Sequence, residues 1–159
     1  MSSAIWTRDI PLTKLIELAK RHKQTRYEKK LIHGIAPCDN RSVEPMEGEL
    51  FKKHPEIDVL VSNYGRILSM DESEIYEQFP DENPTQYDYL HVRVPGKRPF
   101  TVLVYRLVAE TWCPRPDKNL YTVVHHISNN GFDNREQNLM WVTKSQHAMI
   151  HHWLKREGQ

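Results

Sequence analysis

Tyr121-Thr122-Val123-Val124-His125-His126-Ile127-Ser128-Asn129-Asn130-Gly131 runs into Phe132-Asp133-Asn134-Arg135-Glu136-Gln137-Asn138-Leu139-Met140-Trp141-Val142-Thr143, then Lys144-Ser145-Gln146-His147 and on to His151-His152. The β-branched run Tyr121–Val124 predicts a strand leading straight into His125-His126. Ser128 to Gly131 is loop chemistry, and Asn138 to Val142 is strand-like again. Thr143 with Gln146 three residues on has the capping-box form, so a helix is predicted from near Thr143 toward Lys155. On that helix His147 and His151 stand at i and i+4, one turn apart on one face, where two imidazoles can reach one ion. Adjacent His125 and His126 on an extended segment point to opposite sides. One can face the ion while the other is free to act as a base, its ordinary pKa of about 6.5 leaving it poised near neutral pH.

Five of the nine histidines fall between 125 and 152, and that concentration gives the stretch its chemistry. Neutral imidazole suits Zn²⁺ and Ni²⁺ well and Mg²⁺ poorly. His152 lies about 100° round the helix from His151 and is expected to face solvent or a partner. His22, His33, His54 and His91 read as ordinary surface or strand histidines.

Outward from this stretch, Arg106–Trp112 reads as a short helix ended by Pro114. Before it, Tyr89–Val94 and Phe100–Tyr105 flank Pro95-Gly96-Lys97-Arg98-Pro99 as a hairpin. Ile57–Val61 and Arg66–Met70 flank Ser62-Asn63-Tyr64-Gly65 as another. The acidic residues 71–88, with Pro80 and Pro84, read as a loop. Residues 11–33 carry an amphipathic helical pattern with a basic outer face, stopped by Gly34 and Pro37. Trp141 and Leu139 are expected in the core, and Cys113 as a small buried apolar residue.

The 159 residues carry a net charge of +1, which by itself does not suggest a nucleic-acid partner. The total hides segregation. Residues 1–41 hold nine Lys/Arg against four Asp/Glu, residues 42–90 three against twelve, and residues 91–159 ten against five. Two basic ends flank an acidic middle, as in chains that confine nucleic-acid contact to particular surfaces. No apolar run approaches the ~18–20 residues of a membrane span. The N-terminus lacks the basic start and apolar core of a signal peptide. Cys38 and Cys113 form no zinc C-x-x-C pair, and two reduced thiols are expected. These features predict a soluble, cytoplasmic protein.

The segment Val124–Thr143 resembles the HNH nuclease motif, closest to phage and intron-encoded homing endonucleases. Tyr105–Trp112 resembles the short helix ahead of that motif. Val61-Ser62-Asn63-Tyr64-Gly65-Arg66 resembles the core of a small module often joined to such enzymes. The resemblance covers about residues 50–152 and implies an α+β fold with a ββα-metal (His-Me finger) core, preceded by β-hairpins and an N-terminal helix. It divides the chain into a basic segment 1–45, a hairpin module with acidic loop 46–88, and a nuclease unit 89–159. It implies that His126 is the general base and His125 a metal ligand, with Asn138 holding the loop and orienting the base. His147 and His151 would complete the ligands of one divalent ion (Zn, Ni, Mn or Mg). The homing enzymes commonly carry Asp and Asn where this chain has His125 and His147; three histidines resemble instead the bacteriocin-like subtype. The implied activity is hydrolysis of double-stranded DNA, by nicking, in a phage or mobile-element setting, with Arg66, Arg135 and Lys144 as DNA contacts. Alternatives are a non-catalytic DNA-binding protein with a structural zinc site, or a nuclease acting on RNA or structured DNA. Oligomeric state is left open.

Overall fold

The computed structural model describes residues 40–80 and 89–156, with side chains through Trp153. The predicted N-terminal helix lies outside them. Eight strands and two helices follow in order: β1 (Phe51–Lys53), β2 (Leu60–Ser62), β3 (Ile67–Leu68), β4 (Gln78–Pro80), β5 (Leu90–Val94), β6 (Phe100–Leu103), α1 (Val104–Trp112), β7 (Val123–His126), β8 (Leu139–Val142) and α2 (Lys144–Arg156). A single 3₁₀ turn, Glu136–Asn138, precedes β8.

Strands pair antiparallel in three small sheets, β1-β2-β3, β4-β5-β6 and β7-β8. Both predicted hairpins are present, β2–β3 closing through Asn63–Gly65 and β5–β6 through Pro95–Pro99. The acidic stretch differs from expectation. Ile75 bridges Leu68, and Gln78–Pro80 adds an edge strand to β5. Pro80 is tolerable at an edge, where no ladder donor is needed.

The α1 helix buries Val104, Leu107, Val108 and Ala109, a stripe at helical spacing that fills the centre of the molecule. Around it lie Val59, Val61 and Ile67 of the first sheet, Leu90, Val92 and Val94 of the second, and Val124, Leu139 and Trp141 of the third. Residues on both sides of 81–88 therefore share one core. Trp141 is 1% exposed, its indole N–H donating to Ala109 O at 3.2 Å while the Arg115 guanidinium stacks 3.9 Å over the ring. Cys113 is buried, as expected, with its thiol pushed up to about 12 by desolvation and then by Glu136. No helix among the described residues is long and apolar enough to cross a membrane.

The capping box forms as predicted. Gln146 N–H donates to Thr143 Oγ1 at 3.1 Å, and Thr143 N–H donates to Gln146 Oε1 at 2.9 Å. Thr143→Ala should cost about 1 kcal/mol in urea unfolding, and an unchanged midpoint would show that the packed Ile150, not the cap, fixes where α2 begins.

Candidate active site

β7, β8 and α2 form one continuous ββα unit. The β7–β8 register sets His125 opposite Met140 and His126 opposite Leu139. Alternation along the strand predicts that the two imidazoles point apart, yet both line one cavity, with different neighbours around each ring. His125 lies against α2, its ring centroid 6.0 Å from His147 and 6.5 Å from His151. His147 and His151 approach most closely, Nε2 to Nε2 at 3.0 Å. These three line a cavity of about 250 Å³ together with His126, Tyr89, Asn129 and Gly131.

Burial disfavours the charged form of each member of this trio. Burial, then the charges of His126, His147 and His151, push His125 down to about 3. Burial and then His151 lower His147, and burial lowers His151. The neutral imidazole is the form that ligates a metal. His125 Nε2 is buried and has no hydrogen-bond partner, which is costly unless something else binds it. Among the described residues no group of three or more His, Cys, Asp or Glu side chains is placed so as to hold a metal ion. The imidazoles of His125, His147 and His151 are donors of the kind a borderline divalent ion takes.

His126 has a different set of neighbours. Its Nε2 lies 2.8 Å from Asn134 Oδ1. The ring packs edge-on against Tyr105 at 5.1 Å and tilted against Tyr89 at 5.7 Å. Because an amide oxygen only accepts, this contact calls for a proton on Nε2.

Asn138 ties the loop together. It accepts from Ser128 N–H at 2.9 Å and donates to Asp133 O at 2.8 Å. It thus bridges two parts of the loop, while the side chain bonded to the His126 Nε2 is Asn134. The sequence reading gave Asn134 no role of its own. Its place beside Asp133 and Arg135 was visible, but only the folded loop brings its amide to the ring.

Arg66 requires a correction. It was expected to contact DNA and is instead fully buried. Its guanidinium grips Glu49 through Nε at 2.9 Å and NH2 at 2.5 Å, and donates to the carbonyls of Asn40, Ser42 and Glu44. Five donors meet five acceptors, leaving none for phosphate. Arg135 is partly exposed and clamped bidentately by buried Asp133, at 2.8 and 2.7 Å. Lys144 and His152 are exposed. His54, read as an ordinary surface or strand histidine, is buried: Nε2 meets Glu110 at 2.9 Å, and Nδ1 accepts from Glu56 and Ile57 N–H.

Over 108 residues the chain is 32% identical to the uncharacterized HNH endonuclease L247 of Acanthamoeba polyphaga mimivirus, a match spanning 66% of this chain. The fold matches a solved structure of DNA binding and cleavage by the HNH homing endonuclease I-HmuI, with a TM-score of 0.54 and 26% identity. In sequence and in fold the chain is similar to HNH endonucleases. The match to the viral HNH endonuclease takes in 25% of that protein's length. The match to the homing HNH endonuclease covers 69% of this chain and 60% of the other. No protein-family model matches the chain.

Proposed function

We propose that this chain is an HNH endonuclease that nicks double-stranded DNA with one divalent ion, Zn, Ni, Mn or Mg, held by His125, His147 and His151. The observation that supports this most is the division of labour on β7. His125 presents a buried Nε2 without a hydrogen-bond partner beside the His147–His151 pair, and His126, on the same cavity, has its Nε2 held by Asn134. A bound ion would neutralise charge developing on the scissile phosphate. His126 would take a proton from the attacking water on Nδ1. Tyr89 and Tyr105 hold the ring so that this lone pair keeps one direction. Arg135, locked by Asp133, and exposed Lys144 are proposed phosphate contacts, and the basic segment 1–45 a further one. The viral relative and the homing endonuclease neighbour favour a phage or mobile-element setting.

Supercoiled plasmid incubated with Mg²⁺, Mn²⁺, Ni²⁺ or Zn²⁺ tests the reading. Nicked circles should appear with at least one ion. If none supports cleavage and the chain still binds duplex, it is a DNA-binding protein. In a chelator competition, His151→Ala should lose more metal affinity than the about 10- to 100-fold typical of an outer partner, whereas His152→Ala should leave affinity unchanged. Equal losses would move the ligand set.

A further inference from the structure

The β2–β3 turn lies against the loop that carries Asn134. Gly65 has φ +95°, and a Cβ built there would fall 3.0 Å from Asn134 O and 3.2 Å from Asn134 Cβ. That contact is tight against backbone and the positive φ is one that residues with a side chain rarely adopt, so a larger residue here would push the Asn134 loop back by a few tenths of an ångström. Two residues away on each segment, Glu136 N–H donates to Asn63 O at 2.9 Å. Gln78 closes the other side, its amide donating to Gly65 O at 2.6 Å.

The turn itself is fixed from behind. Ser62 Oγ accepts from Tyr64 N–H at 2.8 Å and Arg66 N–H at 3.2 Å. Asn63 Oδ1 accepts from Leu50 N–H at 2.8 Å. Tyr64 donates its hydroxyl to Glu47 O at 2.6 Å. The buried Arg66–Glu49 pair then anchors the strand leaving the turn. Such a turn has little freedom to move, and what it touches is the backbone of the residue whose amide holds His126.

We propose that Gly65 and Asn63 are positioning residues for the general base: through the backbone of Asn134 to Glu136 they set the Asn134 oxygen that fixes the His126 ring. The role assigned to His126 comes from the nuclease reading and this inference rests on it. The turn therefore acts on the rate of the chemical step and not on the grip on DNA. Displacing a reacting group by an ångström can cost about 100-fold.

The full chain carrying Gly65→Ala tests this, with plasmid nicking in Mn²⁺ followed across DNA concentrations and duplex affinity measured separately by anisotropy. The maximal rate should fall about 10- to 100-fold, with half-saturating DNA and duplex affinity unchanged. A parallel loss of affinity would make the turn a DNA contact and overturn the proposal. Because Gly65→Ala can fail to fold, Asn134 supplies a second pair. Asn134→Asp keeps an oxygen on the same stem and should recover most of the rate lost in Asn134→Leu. Equal impairment of the two would overturn the proposal. A third readout does not need cleavage. In chain labelled with ¹⁵N-histidine, at one fixed pH, His126 should show a protonated Nε2 and bare Nδ1 in the wild type. Asn134→Leu and Gly65→Ala should mix the tautomers, and an unchanged ring signature would overturn the proposal. A wild type that cleaves nothing but shows the fixed tautomer removes the nuclease reading and leaves the positioning intact.

Discussion

Plasmid nicking by His126→Ala should run about 100- to 10,000-fold slower than wild type, the range a positioned general base supplies. Duplex affinity and metal affinity should both survive. The reason is that the two neighbouring rings on β7 are held by different side chains. His126 engages Asn134 and the two tyrosines, while His125 lies against α2. Removing the first ring leaves the second where it was. If metal affinity drops together with the rate, His126 belongs to the ligand set. If the rate holds, another group takes the proton.

Arg66→Ala should lower the free energy of unfolding by about 3–5 kcal/mol, as expected when one member of a buried ion pair is removed. Glu49 would be left as a charge inside the protein, and three carbonyls would lose their donor. Around Glu49, burial acts to raise the carboxyl pKa, but the hydrogen bonds from Arg66, Met46 and Ser62 and the Arg66 charge overcome it, and the net shift is downward. A depressed carboxyl stabilises the fold above the ordinary glutamate range and loses that contribution as acid protonates it through its lowered value. The wild type should thus weaken only in acid below that range, and Arg66→Ala should flatten this limb of the curve. A folded variant such as Arg66→Met should keep the salt slope of duplex binding, because no phosphate contact is lost. A shallower slope would restore Arg66 to the DNA interface.

How much of this was legible in the sequence depended on the range of the interaction. The capping box and the i,i+4 histidines are local. Each is decided within a few residues, and each appears in the structure as read. β1 was missed because Phe51-Lys52-Lys53 is too short and too charged to show a period. β4 was missed because Gln78–Pro80 sits in an acidic, proline-bearing stretch and becomes a strand only by pairing with β5. Arg66 misled for a related reason. An arginine in a turn looks solvent-facing until Glu49, 17 residues earlier, is folded over it. The resemblance assigns the orienting of the base to Asn138, and only the course of the loop brings the Asn134 amide to His126 instead.

The core that joins Val59, Val61 and Ile67 to Leu107, Leu139 and Trp141 also limits how this gene segment can be shuffled. Trp112 reinforces the seam by donating its indole N–H to Val61 O at 2.9 Å. A recombination breakpoint between residues 80 and 89 would separate a sheet from the helix it covers, and would part Gly65 from Asn134. Genetic exchange that preserves the activity should therefore carry residues 40–156 as one inherited block.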